Sequence, residues 1–508
     1  MPASSRSSPH GSLPALPPML DDVLGRTIRR FRAPAMPATF EEARATGAAT
    51  AIAVAIERAR EALAAGDTPQ EDVQSVFLSA LAQLMREAMR GDLAFQAMVL
   101  RHRSAVVREY ASLSAHAERD RRAVRAAVNA LAHPAKTRRR PPGPMRDALL
   151  ALHAAAEAGD WARASGLLGP LHDDADGRNG VDVRESVGVR DGVGVRDGVG
   201  VRDGIDVRDG VDGRDGVDGR EDPAFHRGIE RLIDEPALTR LRRLDDLASD
   251  ALVAQYRELS ERRGPPAGSE QAAARGAGAQ QRGDAVEALA VEALDALVER
   301  MNAQAGEARY RLAASLRVPP SFPGDAARAK SEWDVALLRR HSVGEDWDLC
   351  LLVEAKASPD AATTDLPRLL RGLRLLSQAD VDTTYVFTSA DGEVRLRGMS
   401  LNALPTEEGD LARAVLYCCD GADDRAPRLL NAASRMQLLS AEASLDVAAL
   451  LEDGAPVDPS LLLPVWRLLL EAPAFTSVLR QYVTLRAVRE LMVHPEDLAA
   501  AVQGDGGR

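Results

Sequence analysis

A chain of 508 residues, 45% hydrophobic but only 4% aromatic, is too long for one compact core and calls for two or three domains joined by linkers. Its net charge of -12 argues against a general nucleic-acid coat, its three cysteines against a disulfide framework or a zinc site, and the lack of an apolar run of ~18 residues against a membrane span. With no apolar leader at its start, the chain is expected in the cytoplasm.

Residues 1–38 are rich in Pro and Ser and are expected to be disordered. Residues 39–172 read as a helical domain. Thr39 is a cap signal with acids in the first turn, apolar residues follow at three- and four-residue spacing, and a helical hairpin turns at Gly159-Asp160. Over residues 1–140 there are 21 Lys+Arg against 14 Asp+Glu, so the basic charge gathers at this end. Solvated helix faces followed by a basic linker account for that bias. Within the low-complexity segment 173–222 a V-R-D-G-V-G unit recurs every six residues from Val183 to Glu221. Each unit offers little beyond one Val to bury, so the repeat reads as a flexible, charge-balanced spacer. Helices resume over 223–263, and a Gly/Ala/Gln-rich linker is expected over 264–283.

From residue 284 the texture changes. An amphipathic helix over 284–303 carries Val286, Leu289, Ala293, Leu297 and Met301 on one face. Strand-like segments follow at "ARYRLAASLRV", "EWDVALLRR", "DLCLLVEAKA" and "TTYVFTSA", with a helix "DLPRLLRGLRLLSQ" before the last. Residues 284–400 therefore form one α/β domain, and 401–503 a C-terminal helical region. The fold class is α+β, a mostly helical chain with one small α/β domain in which a central mixed sheet is flanked by helices.

Within that domain one residue type is out of place. Only three of the 64 Lys+Arg are lysines: Lys136, Lys330 and Lys356. Lys356 stands two residues after Glu354, on the same face of a strand whose preceding run, Leu349 to Val353, is apolar throughout. The turn "RRHSVGEDW", with Gly344 at its tip, would fold this strand against the previous one and bring Asp334 near Glu354. Two carboxylates with room for a carbonyl oxygen between them suit Mg²⁺ or Mn²⁺, and a lysine amine can orient water or offset charge on a phosphorane-like transition state. His341, in the turn, reads as a solvated histidine, Cys350 as a small buried apolar residue, and Cys418-Cys419 as thiols without an assigned role.

Asp334 followed by Glu354-Ala355-Lys356, between two strands and before a helix–strand unit, resembles the PD-(D/E)xK nuclease superfamily, which includes many restriction endonucleases and the archaeal Holliday-junction resolvases. The helix "RGDAVEALAVEALDAL" is similar to the first helix of resolvase-like members, with Glu287 as its acid. The resemblance covers residues 284–400. It implies a restriction-endonuclease-like core, with Asp334, Glu354 and the Ala355 carbonyl as ligands of Mg²⁺ or Mn²⁺. Lys356 would be the catalytic lysine and Glu287 an accessory acid, while Arg371 and Gln378 of the following helix are candidates for substrate contact. The implied activity is phosphodiester hydrolysis of nucleic acid, DNA before RNA, by a metal-activated water. Two departures stand out: Trp333 precedes Asp334 in place of Pro, and an insert, "PPSFPGDAARAK", separates the first two strands. The competing reading is a non-catalytic helical interaction protein with a nuclease-like binding module.

Overall fold

The structure is a computed structural model that describes residues 16–175, 223–264, 270–326, 328–342, 344–421 and 428–504. The six-residue repeat lies outside the described residues. The chain divides into two compact units, one of residues 1–99 and 259–508, the other of residues 100–258. The helical domain expected over 39–172 is thus split at its middle.

The second unit is all helical among its described residues. Its core gathers Val124, Val128, Leu149, Leu152, Trp161, Leu168 and Ile229 from successive helices. Gly159, at φ 76°, ends helix Pro144–Ala158, and helix Trp161–Ala175 follows directly, so the predicted hairpin turns there. Asp120 receives both arms of the Arg240 guanidinium at 2.7 and 2.8 Å.

The first unit is built around a mixed sheet. Strand β1 (Tyr310–Arg317), β2 (Glu332–Arg340) and β3 (Trp347–Lys356) form an antiparallel meander. Strand β4 (Thr384–Ser389) and β5 (Gly392–Arg397) form a second hairpin. It meets β1 through the single pair Arg317–Thr388 and β3 through the single pair Trp347–Leu396. Five strands therefore close into a small barrel. Two short strands, β6 (Val415–Cys419) and β7 (Met492–Val493), extend it in parallel beyond β3. The expectation was a central mixed sheet flanked by helices, and barrel closure was not foreseen. Closure depends on two one-residue bridges, which leave no periodic signal in the sequence.

Helix α1 (Pro18–Arg26), α2 (Glu270–Ala305), α3 (Pro359–Leu376), α4 (Gln481–Leu491) and α5 (Pro495–Gln503) cover the sheet. On one face, Leu20 and Val23 of α1, Ala290, Ala293, Leu294 and Leu297 of α2, and Leu498 of α5 pack over Val335, Leu337, Leu351 and Val353. On the other, Leu366, Leu369 and Leu373 of α3 with Val488 and Leu491 of α4 pack over Trp333, Ala336, Leu349 and Leu352. The apolar run before Glu354 is a central strand buried on both faces, because alternate side chains enter alternate cores.

Several expected boundaries shift. Within 1–38, α1 is ordered, since three of its nine residues are core. The expected linker over 264–283 is helical from Glu270 onward, because Ala, Gln and Arg favour helix enough to carry its glycines. The buried stripe of α2 runs Val286, Ala290, Ala293, Leu297 and Met301, while Leu289 is turned out. The 401–503 region is not a separate helical body. It supplies β6, β7, α4 and α5 to the sheet, and its helices from Ala432 to Leu479 share a core with residues 43–99. Among those N-terminal helices, Thr39 caps Phe40–Thr46 in a reciprocal box with Glu42. No single helix among the described residues is long and apolar enough to cross a membrane.

Candidate functional site

The β2–β3 register pairs Val335 with Val353, which sets Asp334 beside Glu354 one step along the ladder. Asp334 Oδ2 accepts the Ala355 N–H at 2.8 Å, fixing the acid to the backbone of the opposite strand. Glu354 and Lys356 share a face, as period-two alternation requires, and Lys356 Nζ lies 2.9 Å from Glu354 Oε2. The same amine is 3.8 Å from Asp334 Oδ2 and 3.7 Å from Asp365 Oδ2.

Two groups that the sequence reading passed over complete this cluster. Lys330, at the end of the insert before β2, donates from Nζ to Glu354 Oε2 at 2.7 Å. Asp365, on α3, accepts the Tyr417 hydroxyl of β6 at 3.4 Å. Two of the chain's three lysines thus converge on one carboxylate, and the scarcity that singled out Lys356 could have singled out Lys330. No comparable signal marks Asp365.

Glu354 is fully buried, and both ammoniums bond to its Oε2, while its Oε1 has no hydrogen-bond partner. Burial pushes its carboxyl up to about 7; the charge of Asp334 adds to this, and Lys356 and Lys330 oppose it. Burial works to lower the Lys356 amine, but Glu354, Asp334 and Asp365 more than offset it and hold the amine above its ordinary value. Glu287 stands on α2 within electrostatic reach of Asp334 and Lys356. Burial first, then the charges of Asp334, Asp284 and Glu332, raise its carboxyl. Four carboxylates (Glu287, Asp334, Glu354 and Asp365) thus face two ammoniums.

The structure brings together Asp334, Glu354, Ala355 and Lys356, with Glu287 within electrostatic reach, but not Arg371 and Gln378. Arg371 donates to the Arg328 carbonyl at 2.9 Å, and Gln378 packs against Gly324 and donates to the Arg374 carbonyl. Both hold the insert instead of facing the acids. Asp365 is the polar residue that α3 sends to the cluster. His341 lies at the other end of the hairpin, paired with Arg397. Burial pushes the Cys350 and Cys418 thiols up to about 12, which leaves them inert as nucleophiles near neutral pH.

The donors fit a hard divalent cation in chemistry: carboxylate oxygens, a surplus of negative charge and one buried carboxylate oxygen left over. They do not yet converge on one point, since among the described residues no three Asp, Glu, His or Cys side chains stand close enough to share an ion. Lys356 Nζ instead lies within 4 Å of an oxygen of each of Asp334, Glu354 and Asp365. No protein-family model, curated protein or solved structure matches this chain.

Proposed function

We propose that this chain is a metal-dependent nuclease of the PD-(D/E)xK kind, hydrolysing phosphodiester bonds of nucleic acid, DNA before RNA. The observation that carries the reading is the meeting of Asp334, Glu354 and Lys356 at one end of the β2–β3 hairpin. Asp334, Glu354 and the Ala355 carbonyl would hold Mg²⁺ or Mn²⁺. The chemistry such an ion supplies is activation of water and neutralisation of charge at phosphorus. With its amine held above the ordinary value, Lys356 stays protonated at neutral pH and acts as a cation beside the scissile phosphate, not as a base. Asp365 and Glu354 flank that amine and fix its direction. Glu287, raised by burial and its acidic neighbours, suits the part of a proton acceptor at the rim.

The second reading, a non-catalytic interaction protein with a nuclease-like module, draws on one observation: Glu354 already has two ammonium partners. Purified full-length protein with Mg²⁺ or Mn²⁺, assayed on single- and double-stranded DNA and RNA, separates the two. The expected result is cleavage that a chelator abolishes and that Lys356→Ala and Asp334→Asn each reduce by at least ~100-fold, about 2.7 kcal/mol of barrier. Cleavage that survives both substitutions would move the activity elsewhere. No cleavage of any polymer would favour the interaction protein.

A further inference from the structure

We infer that the insert ending at Lys330 is a positioning arm, and that Lys330 holds Glu354 by one oxygen so that the other stays available to a divalent cation. The inference rests on the metal-dependent reading of this site and adds a residue and a segment to it.

Lys330 is only 5% exposed, and burying an ammonium is costly unless its partner is fixed. Its Nζ bonds Glu354 Oε2, the oxygen that Lys356 also uses, and the pair leaves Oε1 with no partner. A carboxylate has about four acceptor directions, so two donors on one oxygen leave half its capacity unused. An arginine would not do this. Its planar fork engages both carboxylate oxygens at once, as Arg240 does at Asp120. In a chain that uses arginine at nearly every basic position, the two lysines stand where a fork would seal the acid.

Among its described residues the arm is docked at several points. Phe322 packs on the Tyr385 and Phe387 rings, with centroids 4.7 and 5.9 Å apart. Arg371 Nε holds the Arg328 carbonyl at 2.9 Å. At the far end Gly372 of α3 lets the arm come close: a Cβ there would lie 2.9 Å from both Lys330 Cβ and the Lys330 carbonyl oxygen, and 3.1 Å from the Trp333 ring. Arg371 and Gly372 are therefore positioning residues, acting on Glu354 through Lys330.

The test measures Mn²⁺ uptake by calorimetry on the full chain, counting only the binding that Asp334→Asn removes. Lys330→Arg keeps the charge, so a role in neutralisation alone would survive it. Positioning predicts that Lys330→Arg weakens Mn²⁺ binding at least ~10-fold with no loss of melting temperature. Gly372→Ala, which displaces the arm without touching any charge, should weaken binding by at least ~3-fold, and it decides the matter should Lys330→Arg fail to fold. Mn²⁺ binding equal to wild type in both variants overturns the inference and leaves the nuclease reading intact. Wild-type protein with no Asp334-dependent Mn²⁺ uptake overturns both.

Discussion

Asp120 in the helical unit and Glu354 in the sheet unit are both buried acids facing basic side chains, yet their electrostatics run in opposite directions. Asp120 gives one oxygen to each arm of a single guanidinium, and that bond, opposed by burial, holds its carboxyl below the ordinary range. Glu354 gives one oxygen to two amines and keeps the other unbonded, and burial wins. The first arrangement is closed in the sense that each oxygen of Asp120 carries a bond, and the pair locks two helices. The second is held in place but has capacity left, which is what a ligand site needs and a structural lock does not.

The largest test of this contrast removes both amines. Lys330→Met with Lys356→Met leaves Glu354 buried with no cation, and the sheet unit should lose about 3–5 kcal/mol at pH 8 in denaturant unfolding. A loss under ~1 kcal/mol would mean the amines do not hold the acid. Next is pH. A carboxyl raised from 4.5 to about 7 binds a proton in the folded state that the unfolded chain has already released. Stability from this group is therefore fully present below about pH 4.5 and is lost as pH rises through about 7, a fall of ~3 kcal/mol at most. Asp120 has the opposite sign: its contribution is present above pH 3.8 and disappears as pH falls through its lowered folded value. Hydrogen exchange resolves the two units, and Glu354→Gln should flatten the neutral limb of the sheet unit while leaving the acid limb of the helical unit unchanged. The smallest effect is expected at the lock. Arg240→Lys exchanges a fork for a point charge and should cost about 1–2 kcal/mol, seen as faster exchange in helix Ala117–Ala132.

Much of this site was legible because it depends on local geometry. Period-two alternation put Glu354 and Lys356 on one face, the turn around Gly344 folded β3 onto β2, and an apolar run before Glu354 marked a central strand. What escaped notice depends on approach angles. Arg371 on α3 and Gln378 just past its end looked functional by charge and polarity, but Asp365 lies six residues before Arg371, about 240° around the helix, so of Asp365 and Arg371 only one can face the strand end. Lys330 was hidden in a segment read as a departure from the family pattern. The main parallel partner of β3 is β6, in "AVLYCC", not the "TTYVFTS" strand that follows α3 directly, because β4 and β5 turn aside to close the barrel and touch β3 at one pair alone. Composition misled at 264–283, where glycines outweighed the helix-forming residues around them.

The core shared by residues 43–99 and 429–478 has a consequence for synthesis. Phe95 and Val99 leave the ribosome roughly 330 residues before Leu429 and Leu430, a delay of roughly 15–65 s at ordinary elongation rates. The helical unit of residues 100–258 is complete about half-way through that interval and can then fold, while the apolar faces of the first helices still wait. Newborn chains are thus expected to need a holding chaperone from their first hundred residues, and messages truncated before codon 429 should yield aggregates instead of a smaller folded protein.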